Sequence, residues 1–333
     1  MPRHLVTGAT GFIGRHLVRV LRERGEQVAC LVRASSDSAE LEELGAELVR
    51  GDMTRRDSLP EAVAAADVVY HLASLLKVPW KREFHTVNVD GTRNIAEACA
   101  GSESAPVFVM VSSLAAGGPT RSGAARRETD GAEPVSRYGR VKLASEAAAL
   151  GCAPKLPVTI VRPPMVFGQG DRTAFKLFRA AAKGWHAVPG DQGQRLALVH
   201  VEDLCQALIA AGERGQRHDP NRDPANCVYY VACDEFPTMA HLGELIAEAV
   251  GSRRLRTLRI PVPLVWTAAA VAEAIGRLRD RPAVFNLDKA REALAGSWIC
   301  DSGKAHDELG FTPEPLTRRL RETADWYRSR GWL

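Results

Sequence analysis

Eight residues near the N-terminus constrain the fold most: Thr7-Gly8-Ala9-Thr10-Gly11-Phe12-Ile13-Gly14. They follow a short apolar run, His4 to Thr7, and open a segment with helical spacing (Ile13, Leu17, Val20, Leu21) that stops at Gly25. A glycine-rich turn between a strand and a helix serves three backbone needs. Gly8 permits the tight turn, Gly11 lets the backbone approach a pyrophosphate at the positive end of the helix, and Gly14 allows helix and strand to pack closely. The spacing is GxxGxxG and departs from the commoner GxGxxG.

The same alternation of strand and helix continues. Strands are predicted at Gln27 to Val32, Glu47 to Arg50, Val68 to Leu72, Val107 to Ser112 and Val158 to Arg162, with helical patterns between them. This rhythm predicts an α/β fold, a Rossmann-type doubly wound parallel sheet covered by helices on both faces. After Pro164 proline, glycine and charge become frequent, so residues 1–164 read as a dinucleotide-binding domain and 165–333 as a smaller, interleaved C-terminal lobe that binds substrate. Segments 199–211 and 227–232 read as a helix and a strand that rejoin the first sheet. A chain of 333 residues has material for about two such units.

The end of the second strand carries the cofactor preference. An acid there would accept hydrogen bonds from the ribose of NAD, but the strand ends Leu31-Val32-Arg33. An arginine suits a 2′-phosphate, so NADP is favoured over NAD. After the third strand, Asp52 is positioned to accept from the adenine amino group and Met53 to pack against the ring.

Tyr138 and Lys142 stand at i and i+4, on one face of a helix. A phenol titrates near pH ~10, and a neighbouring ammonium is expected to bring that value toward neutrality, where proton transfer is efficient. Ser113 ends the strand beginning at Val107, at the sheet edge where ligands of open α/β sheets bind.

Taken together, TGATGFIG at 7–14, GDM at 51–53, HLAS at 71–74, NVDGTRN at 88–94, VSSLAAGG at 111–118, YGRVK at 138–142, RPPMVFG at 162–168 and VHVEDL at 199–204 resemble the extended short-chain dehydrogenases/reductases of the epimerase and dehydratase superfamily. The resemblance spans nearly the whole chain. It implies Ser113 and Tyr138 bracketing the reacting oxygen, Lys142 on the nicotinamide ribose and Asn88 in support. It also implies a cofactor cradle of Gly8, Thr10, Gly11, Phe12, Ile13 and Gly14, with Ala73, Pro163 and Val166 beside the cofactor. Ser112 rivals Ser113, although counting to Gly118 favours Ser113.

Within the superfamily, dehydratases carry an Asp-Glu pair after the active-site Ser or Thr, whereas Leu114-Ala115 follow here. Sugar-nucleotide epimerases use an arginine to grip a diphosphate, and Arg195 lies one residue out of register. The segment from Leu258 onward most resembles the 3β-hydroxysteroid dehydrogenase and dihydroflavonol reductase branch. Phe175, Phe178, Trp185 and an apolar helix over Ile260 to Ile275 either line a hydrophobic pocket or pack as core. The expectation is an NADP(H)-dependent oxidoreductase acting on a secondary alcohol or ketone of an apolar small molecule, polycyclic ones included. The alternatives are an NDP-sugar epimerase holding NAD and a non-catalytic dinucleotide sensor.

Several partners and compartments are disfavoured. With 44 basic and 40 acidic residues and no basic, aromatic-interleaved block, nucleic acid is not an expected partner. Seven scattered cysteines without a CxxC give neither a disulfide framework nor a metal cluster. The chain opens directly on a strand with no signal-like stretch, and the cytoplasm is the expected location. The 260–275 segment is too short to span a bilayer, which limits membrane contact to the periphery. A homodimer is expected through the small residues Ala144, Ala147, Ala148 and Ala149.

Overall fold

The computed structural model describes residues 1–75, 81–120, 123–190, 193–279 and 285–333. Its first half alternates strand and helix: β1 (Arg3–Thr7), α1 (Phe12–Glu23), β2 (Gln27–Val32), α2 (Ala39–Glu43), β3 (Glu47–Arg50), α3 (Pro60–Val63) and β4 (Val68–His71). Then come α4 (Lys81–His85), a single π turn at Thr86–Asp90, α5 (Gly91–Ala100), β5 (Val107–Val111), α6 (Leu114–Gly117), α7 (Arg137–Leu150) and β6 (Val158–Arg162). The second half contains β7 (Met165–Phe167), α8 (Phe175–Ala182), β8 (Trp185–Pro189), β9 (Leu198–His200), α9 (Val201–Arg214) and β10 (Val228–Tyr230). It closes with α10 (Met239–Ala249), β11 (Arg256–Ile260), α11 (Val262–Leu278), α12 (Leu287–Leu294), α13 (Gly303–Leu309) and α14 (Leu316–Ser329).

Seven parallel strands form the main sheet in the order β10-β6-β5-β4-β1-β2-β3. The order reverses between β1 and β4, so the carboxyl ends of those two strands flank the crevice where such sheets take ligands. Both faces are buried, which is why the strands are almost continuously apolar. In β5, Val109 and Val111 turn toward Leu17 and Leu21 of α1 and Leu204 and Leu208 of α9. Phe108 and Met110, one residue out of phase, turn toward Ile95 and Cys99 of α5 and Ala149 of α7. β10 pairs with β6, Tyr229 opposite Val161, and α9 packs on β4, β5 and β6. A separate cluster built from Phe178, Leu242, Ile246, Leu320 and Tyr327 holds α8, α10 and α14 together.

The packing bears on three expectations. Phe178 is fully buried in that cluster, and Phe175 stacks edge-on against Tyr327 and Trp332 with centroids 5.1 Å apart. Phe175 and Phe178 thus pack as core. Trp185 is 51% exposed with the Arg256 guanidinium over its ring. The 260–275 segment does form a helix, yet only Val265 and Ala269 of α11 are buried. Of the small residues expected at a dimer contact, Ala148 and Ala149 are consumed inside the chain, because α7 turns that side onto the sheet.

All seven cysteines carry free thiols, six of them buried. Burial pushes the thiols of Cys30, Cys99, Cys205 and Cys300 upward, away from the reactive thiolate.

Candidate active site

The glycine turn is built as its chemistry requires. Gly8 adopts φ +71°, and a Cβ placed on it would lie 2.7 Å from the Ala73 backbone. A Cβ on Gly14 would lie 2.3 Å from the Gly8 carbonyl oxygen, so α1 can approach the end of β1 only without a side chain there. The Gly11 amide donates to Gly8 O (3.0 Å), and no side chain caps α1. The first-turn N–H groups, beginning at Phe12 and Ile13, therefore have no intrahelical acceptor, and no acidic residue opposes an anion there. Thr10, Phe12 and Ile13 remain partly exposed at this mouth. Such an uncapped, acid-free turn fits a dinucleotide pyrophosphate.

Arg33 is exposed immediately after β2, and Arg50 Nη1 donates to its carbonyl (3.1 Å), bringing a second guanidinium to the same corner. Asp52 is half-committed: one carboxylate oxygen accepts from both N–H and Oγ1 of Thr54 (2.8 Å each). Met53 is buried against Gly91, and its carbonyl accepts from Asn94 Nδ2. Its packing thus serves the core behind the crevice. Pro163 is buried, its carbonyl accepting from Leu114 N–H (2.8 Å), and Val166 lies in β7 opposite Val199. These contacts tie the ends of β6 and β9 to the serine turn.

The proposed reaction centre lies where β4, β5 and β6 end. Ser113 caps α6, its Oγ accepting from Ala115 N–H (3.1 Å), and its hydroxyl lies near enough to the Tyr138 phenol to favour the phenolate. Ser112 faces away into the protein, where its hydroxyl donates to Glu146 in a buried group completed by Arg162. That separates the two serines by orientation. Lys142, one turn after Tyr138, is buried and donates from Nζ to Val111 O (3.1 Å). Asn88 is a scaffold: its Oδ1 accepts from Ser74 Oγ (2.7 Å) and Leu75 N–H (2.8 Å), and its Nδ2 donates to Phe84 O (2.8 Å). Its own carbonyl accepts from Ser145 Oγ (2.9 Å) of α7, locking the loop after β4 to the tyrosine helix.

The electrostatics correct one expectation. Burial lifts the Tyr138 phenol to about 12, the Ser113 hydroxyl opposing and the Glu292 carboxylate adding to the rise. In the protein alone burial outweighs any pull of Lys142 toward neutrality. Lys142 itself is lowered to about 8 by burial, with Glu146 opposing. His71, at the end of β4, is lowered to about 3 by burial and by Lys142, and so is held neutral between Thr7 Oγ1 (2.9 Å) and Thr92 Oγ1 (2.8 Å).

α12 supplies residues that sequence reasoning missed. The Asp288 carboxylate accepts from the backbone N–H groups of Arg137 (2.9 and 3.0 Å) and Tyr138 (3.4 Å), a cap delivered to α7 from 150 residues away. Lys289 Nζ lies 5.5 Å from the centre of the Tyr138 ring and 2.5 Å from Glu292 Oε2. The loops Leu75 to Phe84 and Thr120 to Arg127 fall partly outside the described residues. Arg195 directs its Nε to Phe236 O (3.1 Å) and stacks on that ring, an arrangement directed at the protein itself.

Residues 4–226 match the model of the NAD dependent epimerase/dehydratase family. The chain belongs to that family, within the extended short-chain dehydrogenases/reductases, and is an NAD(P)-dependent enzyme of that type. Among its relatives, a ceramide reductase of Caulobacter vibrioides is 33% identical over 333 residues, covering 98% of this chain and 95% of the relative. A putative dihydroflavonol 4-reductase of Synechocystis is 28% identical over 342 residues, covering 98% and 95%. The fold is shared with UDP-glucose 4-epimerase of Thermotoga maritima at a TM-score of 0.77 and 22% identity, over 98% of this chain and 99% of that one.

Proposed function

We propose that this enzyme is an NADP(H)-dependent oxidoreductase that interconverts a secondary alcohol and a ketone on an apolar small molecule, with Tyr138 as the acid and base. The observation that carries the reading is the convergence of the Ser113 hydroxyl and the Tyr138 phenol at the carboxyl edge of the sheet, with the Lys142 ammonium buried one helical turn away. A phenol near 12 stays protonated at neutral pH, which suits it to donate a proton in the reducing direction. The cofactor, when bound, supplies the hydride. Tyr138 then delivers its proton to the substrate oxygen, while the Ser113 hydroxyl offers a pre-placed donor to charge developing there. Lys142 lowers the cost of the negative charge left on Tyr138, and Asn88 holds the loop that carries Ala73 against Gly8.

The NADP preference rests on Arg33 after β2 and Arg50 at the end of β3, with no acid at the end of β2 to favour a free ribose. The apolar substrate class rests on relatives named for reduction of a ceramide and of a dihydroflavonol. NADPH absorbance is followed against a panel of water-soluble and apolar ketones. Tyr138→Phe is expected to abolish turnover while NADPH binding, read by fluorescence, persists. A near-wild-type rate in that variant would sink the assignment, and a protein that purifies with NAD and consumes no NADPH would replace it with an epimerase.

A further inference from the structure

We propose that the outward face of α11, with the arginine-rich strand before it, docks this enzyme on the surface of a bilayer containing anionic lipid. The polarity of α11 is inverted. Leu264, Ala268, Val271, Ile275 and Leu278 recur at the spacing of one helical face, and this is the solvent face. Leu264 is 58% exposed, Val271 53%, Ile275 44% and Leu278 87%. The helix's single acid, Glu273, lies instead on the packed side, where it accepts from Leu287 N–H (3.2 Å). An ordinary surface helix places its charges outward and its apolar stripe inward. The one hydroxyl on the exposed face, Thr267, is already satisfied by donating to Pro263 O (2.9 Å).

Length and charge choose the occupant. No helix among the described residues is long and apolar enough to cross a membrane. Seventeen residues span only about 25 Å of helix, short of the ~30 Å hydrocarbon core, so α11 can only lie flat in the interface. The flanks are basic: residues 253–279 hold six arginines and one glutamate, and the arginines are exposed. In the β8–β11 pair, Arg256 lies opposite Trp185 and Leu258 opposite Ala187, so Trp185, Arg256 and the 56%-exposed Leu258 share one face leading into α11. A tryptophan and arginines rimming an apolar stripe match a lipid headgroup boundary. A second copy joined through this face would set like charges against each other, which disfavours that occupant.

Position adds a use. α11 packs on α12, and α12 holds the N-terminus of the Tyr138 helix through Asp288. The docked face is therefore one helical layer from the reaction centre, close enough to pass an apolar substrate from bilayer to site. This delivery role rests on the reductase reading, whereas docking itself does not.

The test is flotation of the full-length protein with vesicles of phosphatidylcholine alone or with phosphatidylglycerol, at low and high salt. Binding is expected to rise by about tenfold on the anionic vesicles and to fall with salt. Val271→Glu with Ile275→Glu, both exposed, is expected to lose about tenfold of that binding while NADPH-dependent turnover of a water-soluble ketone is unchanged. Absence of wild-type binding to anionic vesicles, or full binding by the double variant, overturns the proposal. So does a wild-type dimer in size exclusion that the same substitutions dissociate, since the face would then belong to a second copy. Flotation without turnover of any ketone would retire the reductase reading and leave docking intact.

Discussion

Substituting Glu146 by Gln tests whether the buried charges behind the reaction centre act as a unit. Glu146 takes Arg162 Nε on one oxygen (2.9 Å) and Arg162 Nη2 on the other (2.6 Å), and Ser112 donates to the first oxygen. Arg162 Nη1 donates onward to Tyr230 Oη (3.1 Å). Both side chains of the pair are almost wholly enclosed, 7% and 3% exposed. Removing one member of such a pair strands the other charge and costs about 3–5 kcal/mol. Glutamine keeps an acceptor for Nε and Ser112 but turns an NH2 toward Nη2, so a loss near the lower end, about 3 kcal/mol, is expected.

The same change reaches Lys142. Burial has lowered that ammonium from its ordinary 10.5 to about 8, and Glu146 is the charge that opposes the fall. A folded-state value below the unfolded one means that the fold disfavours the charged form. The resulting cost is full below pH 8 and is relieved as pH rises toward 10.5. Glu146→Gln should move the lower end of this window down and carry the alkaline limb of the ketone-reduction profile to lower pH. The assays are urea unfolding with an unchanged m-value and kcat/KM against pH. A loss below about 1 kcal/mol with an unmoved alkaline limb would refute the reasoning, since the carboxylate would then neither neutralise Arg162 nor support Lys142. As a control, Glu146→Leu with Arg162→Met removes both charges, and recovery of most of the lost stability would identify the stranded guanidinium as the source of the cost.

Other sites give shorter predictions. Asp288→Ala leaves the Ser136 cap on Gly139 N–H but frees the N–H groups of Arg137 and Tyr138; it should cost about 1 kcal/mol and lower kcat several-fold at unchanged KM for NADPH, with Asp288→Asn recovering part of both. An unchanged kcat would show that this cap does not position Tyr138. Gly14→Ala must push the Gly8 turn open, and a loss of at least about tenfold in NADPH affinity is expected by fluorescence titration. Arg33→Ala should reduce the preference for NADPH over NADH by about tenfold, the worth of one charge-assisted hydrogen bond, and an unchanged ratio of kcat/KM values would remove Arg33 from cofactor choice.

What the sequence made legible follows from range. The glycine turn, the parallel strands and the Tyr138–Lys142 spacing are set by neighbours within a few residues, and each was readable from period and turn chemistry. The two serines show the limit: adjacent residues at a strand end face opposite ways, but only the fold reveals that Ser112 meets Glu146. The direction of the Tyr138 shift was misread for a similar reason. Spacing along a helix brings Lys142 near, whereas the competing burial comes from other elements. Asp288 and Lys289 carried no local signal, since their partner lies some 150 residues earlier. Phe175 and Phe178 stood open between pocket wall and core because an aromatic's partners cannot be known before its lobe is packed.

The place of β10 at the edge of the main sheet bears on how the chain is made. Until residues 228–230 emerge from the ribosome, β6 is an unprotected parallel edge, and until α9 is synthesised Tyr70, Val109 and Val161 have only part of their cover on one face. The nascent first half is thus an incomplete sheet that must wait for its closing strand, and a strand so distant in sequence joins slowly. Synthesis and folding are coupled here by topology: before β10 has emerged the edge of the sheet is β6, and afterwards the short β10 covers it.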